Sequence, residues 1–213
     1  MCGRVHLSSD YSEIKIRLKF APDSPAPNYE PDWNKPPTAD MLVAIRSIDG
    51  KRLAKITKWG LIPRWAKDDK IKYSTHNARC EEFRTKPAFR DAWKRGQRCL
   101  VITNGFYEWK KLDAKGKKKQ AYAIGMADDR EMVMAGLWET WKSPTSGEET
   151  VSCTVITCQS ARRSLSLSRT WTQAGTYVNL IASSPIKSLA TRRSGGRGPA
   201  KNGLTRPSTT GRK

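Results

Sequence analysis

Short apolar segments, set close together between turn-forming residues, constrain the fold of this chain most strongly. They are rich in β-branched residues, which favour strands. They also follow one another too closely for regular βαβ units, which indicates an α+β fold with a largely antiparallel, barrel-like sheet and a few helices. The predicted strands are Leu42–Ile45, Leu53–Trp59, Cys99–Ile102, Ala121–Ile124, Met132–Ala135 and Val151–Thr157.

Two other segments are predicted to be helical and one to be irregular. The first helix is predicted within Tyr11–Phe20. The second is predicted within Glu81–Arg95, where Pro87 must lie near the start or break the helix. The Pro-rich stretch Pro22–Pro37 is predicted to form an extended, irregular loop.

The acidic residues stop well before the chain does. The last one is Glu149, so the final 64 residues carry no carboxylate, while eleven Lys and Arg lie from Ser160 onward. A segment of this kind, dominated by Ser, Thr, Gly and Pro, buries too little apolar surface to offset the entropy of ordering. We therefore expect one domain over residues 1–180 and a disordered basic tail over residues 181–213.

The charge balance points to a polyanionic partner. The chain has 40 Lys and Arg against 20 Asp and Glu, a net charge of +20 and a pI near 10.0. Nucleic acid is favoured as the partner over an anionic membrane or mere solubility. Five cysteines without a CxxC pair, and only two histidines, predict no disulfide framework, metal site or cofactor. With no signal stretch and no long apolar run, we expect a cytoplasmic protein without a membrane span.

Cys2 stands directly after Met1. Removal of Met1 would leave an amine and a thiol on one residue, and both are nucleophilic near neutral pH because their unperturbed pKa values are about 8 and about 8.5. An aldehyde suits such a pair, since the amine forms a Schiff base and the thiolate then closes a thiazolidine ring. The alternative is that Cys2 is an inert residue in a buried or frayed terminus.

Three further segments group polar and aromatic side chains, and each alone has an ordinary structural explanation. They are Trp59–Trp65, Asn77–Arg79 and Gly105–Trp109. Together with Met1–Arg4, and with Asn34 and Pro37-Thr38, they resemble the SOS response-associated peptidase (SRAP) family. The resemblance runs from Met1 to about Thr157.

This resemblance implies an SRAP-like fold and a protein of the DNA-damage (SOS) response that caps abasic sites in single-stranded DNA. Cys2 would form a covalent thiazolidine crosslink with the sugar aldehyde. Glu108 would act as the acid and base, and Asn77 would orient the amine or the sugar hydroxyls. We expect a monomer that needs no metal or membrane. The implied DNA contacts are phosphates at Arg4 and Arg79 and stacking surfaces at Trp65, Trp109 and Pro37.

The C-terminal quarter departs from the family pattern. The family has a histidine in a His-x-Arg-Met-Pro segment, whereas this chain has no histidine after His76 and carries Ser164–Thr172 in that place. A shifted reading frame would produce such a change. Because the nucleophile and Glu108 are retained, we expect crosslinking to survive and reversal of the crosslink to be impaired.

Two other classes of function remain open from the sequence. A cysteine-type peptidase that removes Met1 or cleaves other proteins would need a thiolate–imidazole pair, for which only His6 and His76 are available. A non-catalytic, basic nucleic-acid-binding protein would use its charge and aromatic residues, with no role for Cys2.

Overall fold

The structure, a computed structural model, describes residues 3–70 and 74–158, and it forms two short helices and ten strands there. The predicted tail over 181–213 lies outside these residues. The described helices include none with the length and apolar character of a membrane span. The helices are α1 (Tyr11–Arg17) and α2 (Pro87–Lys94). The strands are β1 (Val5–Leu7), β2 (Asp32–Lys35), β3 (Asp40–Arg46), β4 (Arg52–Trp59), β5 (Asn77–Arg79), β6 (Arg98–Thr103), β7 (Gly105–Lys111), β8 (Lys119–Gly125), β9 (Met132–Lys142) and β10 (Glu149–Thr157).

The larger sheet closes on itself. Its strands β4, β3, β6, β9 and β10 are antiparallel neighbours in that order, and β10 pairs again with β4, in parallel, where Ser152 lies opposite Lys58. Farther along the same edge of β10, β5 pairs in parallel, with Val155 opposite Asn77. The largely antiparallel, barrel-like sheet predicted from the sequence is therefore confirmed.

A second, four-stranded sheet places the start of the described chain in its interior. Its order is β2-β1-β7-β8, and all three pairings are antiparallel. β1 is only three residues long, yet both of its edges are hydrogen bonded within the sheet. β1 is therefore held on both sides, by β2 and by β7.

The two sheets meet in one hydrophobic cluster. Trp59, Val101 and Val155 of the barrel are buried in it. Val5 of β1 is buried in the same cluster, and Phe106 of β7 packs against it. Each fully buried aliphatic side chain contributes about 1.5–3 kcal/mol, so this cluster holds the smaller sheet against the barrel.

Both helices begin where local chemistry favours a helix start. Asp10 caps α1, its carboxylate accepting a hydrogen bond from the Ser12 backbone N–H at 2.7 Å. α2 begins at Pro87, which suits the first helical position and disfavours helical backbone in the residue before it. The second helix is therefore shorter than the predicted Glu81–Arg95, because the residues before Pro87 form turns.

Four strands were missing from the sequence prediction. β2 lies within Pro22–Pro37, so the prediction of an irregular loop is wrong for Asp32–Lys35. β1 and β5 have three residues each, too few for an alternating pattern to show. β7 follows β6 after a single residue, Asn104, and it ends in charged residues, so it does not show the apolar pattern of a strand.

A disulfide joins the ends of two neighbouring strands, contrary to the expectation of none. Cys80 follows β5, Cys158 follows β10, and their sulfurs are bonded. The Cys80 backbone N–H also donates to the Thr157 carbonyl oxygen at 2.8 Å. The two cysteines are 78 residues apart in sequence. Only the parallel pairing of β5 with β10 brings them together.

We expect Cys158→Ser to lower the free energy of unfolding by about 4 kcal/mol without reductant, because the crosslink restricts a long loop in the unfolded chain. Urea unfolding should show it. Adding reductant should lower the stability of the wild type to that of the variant and leave the variant unchanged. A wild type that is equally stable with and without reductant would contradict the bond.

Candidate active site

Asn77 and Arg79 lie on β5, at one end of the barrel. β5 runs alongside β10, which places Thr157 opposite Arg79. Ala78, between them, is fully buried in the cluster beneath α2. Because side chains alternate along a strand, Asn77 and Arg79 share the other face. Both line a cleft of about 470 Å³, and Asn77 is 8% exposed there.

Trp65 lines the same cleft and is 50% exposed. The loop that carries it is anchored to β10, since the Ile62 backbone N–H donates to Ser152 Oγ at 2.8 Å. Trp59, at the other end of the loop, is fully buried in the main cluster. The two tryptophans of one sequence motif therefore differ: Trp59 is a core residue, and Trp65 offers an exposed aromatic surface.

Positive charge predominates at the rim of this cleft. The Arg79 guanidinium lies 3.9 Å from the Glu82 carboxylate, and the Lys86 ammonium lies 3.2 Å from the same carboxylate. All three side chains are substantially exposed, so these ion pairs add little stability. Two cations share one carboxylate, which leaves the rim suited to an anionic group such as phosphate.

Glu108 lies on β7 of the smaller sheet, beside the strand that begins the described chain. β1 and β7 are antiparallel, and the Tyr107 backbone N–H donates to the Arg4 carbonyl oxygen at 2.9 Å. Continuing this register by one residue aligns Gly3 with Glu108. The chain therefore runs from Arg4 back toward the strand position that carries Glu108. Cys2 itself lies outside the described residues.

Glu108 and Asn77 are on different sheets but flank the same hydrophobic cluster. Glu108 shares a face of β7 with Phe106, which packs against that cluster. Val155 is buried in the cluster and is the cross-strand partner of Asn77. The core that joins the two sheets thus also links the positions of these two predicted site residues.

The other predicted DNA contacts lie on the smaller sheet and the loop beside it. Trp109 follows Glu108 and is 48% exposed. The Arg4 guanidinium donates to Asn34 Oδ1 at 3.1 Å, which joins two of the sequence motifs. Pro37 is partly buried in the loop between β2 and β3. Among the predicted residues that the structure describes, Trp65, Asn77 and Arg79 line the cleft together.

The backbone next to Pro37 is also unusual. Thr38 adopts φ +76°, a left-handed conformation that costs a β-branched residue energy. Its backbone N–H donates to the Trp59 carbonyl oxygen at 2.8 Å. This hydrogen bond fixes the Pro37 loop against the end of β4, from which the Trp65 loop also starts.

A group of aromatic side chains on the smaller sheet was not predicted. The His6 ring stacks on Trp33 at a centroid distance of 5.4 Å and is tilted against Tyr107 at 5.4 Å. The Tyr107 hydroxyl donates to the Trp33 carbonyl oxygen at 2.8 Å. Burial lowers the pKa of His6, which favours its neutral form. Arg4 and His6 are separated by one residue. This spacing was the sequence signal that could have placed the His6 side chain on the same face of a strand as the predicted contact Arg4.

His76 packs against the core beside the cleft. Its ring meets Trp59 edge-on at 5.6 Å, and its Nδ1 lies 2.7 Å from Ser74 Oγ. Burial lowers the pKa of His76 as well. Across the part of the chain that the structure describes, no group of His, Cys, Asp and Glu side chains is arranged to hold a metal ion.

Gly105 permits the close approach of β1, β7 and β8. A Cβ added there would lie 2.5 Å from the Ile124 carbonyl oxygen and 2.6 Å from His6 Nε2. We expect Gly105→Ala to lower the free energy of unfolding by about 1–3 kcal/mol, as overpacking does. Gly3→Ala is the control, since a Cβ at Gly3 meets nothing within 4 Å. Equal stability of the two variants in urea unfolding would contradict this account.

Comparison with known proteins gives consistent matches over most of the chain. The sequence model of the family described as SOS response associated peptidase (SRAP) matches residues 1–168, past the end near Thr157 indicated by the motifs. The chain is 38% identical over 157 residues to the abasic site processing protein YoqW of Bacillus subtilis (strain 168), covering 74% of this chain and 68% of that protein. It is 29% identical over 167 residues to the abasic site processing protein HMCES of Xenopus tropicalis, covering 66% of this chain and 49% of that protein.

Solved structures give the same picture. The crystal structure of a protein from Bordetella bronchiseptica matches with a TM-score of 0.61 and 25% identity, covering 82% of this chain and 80% of that chain. The crystal structure of a phage-related protein from the same organism matches with a TM-score of 0.56 and 26% identity, covering 75% of this chain and 70% of that chain.

Proposed function

Because the chain belongs to the SOS response associated peptidase (SRAP) family, we propose that it processes abasic sites in DNA, by capturing the sugar aldehyde covalently. The names of its relatives in Bacillus subtilis and Xenopus tropicalis support the abasic site as substrate. The net charge of +20 suits a DNA partner. The pairing of β1 with β7 carries the mechanism, because it brings the chain that follows Cys2 alongside Glu108.

Cys2 is the nucleophile once Met1 has been removed. Its amine adds to the aldehyde carbon of the opened deoxyribose, and loss of one water gives a Schiff base. The thiol then adds across the carbon–nitrogen double bond: sulfur bonds to carbon, and the proton passes to nitrogen. The product is a thiazolidine that joins the protein to the DNA strand.

Glu108 handles the protons of this sequence. As an acid it protonates the departing hydroxyl when the Schiff base forms, and as a base it accepts the proton of the attacking thiol. Its position supports these roles, since β7 is hydrogen bonded to the backbone at Arg4, and a carboxylate on a strand of a sheet is held more precisely than one on a loop.

The cleft beside Asn77 accommodates the damaged nucleotide and its neighbours. Asn77 provides an amide that can orient the amine or the sugar hydroxyls, and Arg79 binds a flanking phosphate. Trp65 offers a face for stacking a base, typically a contribution of about 1–3 kcal/mol per base. Arg4, Trp109 and Pro37 extend the contact surface over the smaller sheet.

The absent family histidine affects the release of the crosslink more than its formation. Reversal requires protonation and departure of the sugar-bound groups, and this chain has no histidine beyond His76 to assist. Formation needs the aminothiol and Glu108, which are both present. We therefore expect the crosslink to accumulate with slow turnover.

The covalent step is tested by mixing the protein with a single-stranded oligonucleotide that carries one abasic site. Intact-mass analysis should show the sum of the Met1-less protein and the oligonucleotide, less one water. Cys2→Ala should abolish this species, because the amine and thiol no longer act together. Cys99→Ala, which removes a free thiol in the core, should retain it. An undiminished adduct in Cys2→Ala would rule out the mechanism.

The role of Glu108 is tested by kinetics. Glu108→Gln keeps the size of the side chain but removes the proton-transfer group, so crosslinking should slow by roughly 10²–10⁴-fold. Affinity for an undamaged strand should stay within about twofold of the wild type, since the carboxylate does not attract phosphates. Glu13→Gln on α1 is the matched control and should react at the wild-type rate. A parallel loss of affinity and rate in Glu108→Gln would make Glu108 structural.

A further inference from the structure

The hairpin formed by β7 and β8 extends beyond Glu108 into a strongly basic tip. We call residues 110–119 the lysine arm. Its six lysines are all exposed, and its single acidic residue is Asp113. The lysines are Lys110, Lys111, Lys115, Lys117, Lys118 and Lys119.

The charge of the lysine arm is not neutralised by the described part of the chain. Asp113 Oδ2 accepts a hydrogen bond from the Lys118 backbone N–H at 3.2 Å, so this carboxylate is used to shape the turn. Ion pairs among the described residues involve none of the six lysines. Lys111 lies directly opposite Lys119 in the β7–β8 ladder, where like charges repel. A bound polyanion would relieve this repulsion.

The lysine arm continues directly from the proposed site. Glu108, the exposed Trp109 and Lys110 are consecutive on β7. Strands rise about 3.4 Å per residue, so the Lys111 Cα lies roughly 10 Å along the strand from the Glu108 Cα. The charge therefore begins beside the proposed crosslinking position and runs outward along the hairpin.

We propose that the lysine arm binds the phosphate backbone of the DNA strand that flanks the abasic site. This rests on the proposed function, which places the crosslinking chemistry at Cys2 and Glu108. Lysine side chains next to an exposed tryptophan suit a nucleic-acid strand, because bases stack on aromatic faces while phosphates pair with cations. Flexible ammonium groups contact phosphates without reading bases, so the binding is independent of sequence. The lysine arm thereby keeps the strand in place while the slower covalent chemistry proceeds.

The salt dependence of binding tests the lysine arm separately from the chemistry. The triple variant Lys115→Gln, Lys117→Gln, Lys118→Gln removes charge from the turn without touching Glu108 or Trp109. The control triple variant Lys19→Gln, Arg46→Gln, Lys51→Gln removes the same charge at exposed positions of α1's end and the β3–β4 hairpin. Fluorescence anisotropy with an undamaged single-stranded oligonucleotide, over a range of salt concentrations, gives the slope of log affinity against log salt.

The arm variant should reduce the magnitude of this slope by about 2, since each lost phosphate contact on a single strand removes about 0.7. The control variant should reduce it by less than half as much. Crosslinking rates at saturating abasic oligonucleotide should stay at the wild-type value in both. Equal slopes in the arm variant and the wild type, or equal losses in both triple variants, would overturn the proposal.

Two further outcomes separate the possible failures. Wild-type slopes in the arm variant, with a loss of binding to vesicles containing phosphatidylserine, would make the lysine arm a membrane contact and overturn the DNA proposal. A wild type that binds DNA but never crosslinks would refute the proposed function. A slope that still falls in the arm variant would then support the arm as a DNA contact.

Discussion

The edge of β10 that is shared by β4 and β5 determines the arrangement of the barrel end. β4 pairs in parallel with its middle, and β5 pairs in parallel with its last residues. Between these two pairings the chain must leave β4, turn and return, which creates the loop that carries Trp65. Ser152 on β10 anchors that loop, and Val155 on β10 lies opposite Asn77. One strand thus positions both the Trp65 loop and β5, which line the cleft together with the start of α2.

Parallel pairing over so few residues is weak by itself, and two other interactions secure it. The cluster beneath α2 buries Ala78 of β5 together with Phe83. The bond between Cys80 and Cys158 then ties the ends of β5 and β10 together. Arg79, one residue before Cys80, is held at the rim of the cleft by both.

The smaller sheet has a different role, because it holds the first residues that the structure describes. Terminal residues are commonly the least ordered part of a domain unless a sheet or a docked element holds them. Here β1 is inserted between β2 and β7, and Val5 is buried in the core that joins the sheets. Gly3 and Gly105, which precede and begin these paired strands, differ in their surroundings. A Cβ added at Gly3 would meet nothing within 4 Å, whereas one added at Gly105 would clash with His6 and β8.

Composition and motif content by themselves determined the fold class of this protein and indicated its family. The apolar runs that became β3, β4, β6, β8, β9 and β10 indicate strands by themselves, because alternation and β-propensity are local properties. The motifs around Asn77 and Glu108 also indicated the family. Tertiary structure alone decided the partners of the three-residue strands, the exposure of Trp65 against the burial of Trp59, and the pairing of Cys80 with Cys158. Each depends on contacts between residues far apart in the chain, and no local pattern encodes which distant strand becomes a neighbour.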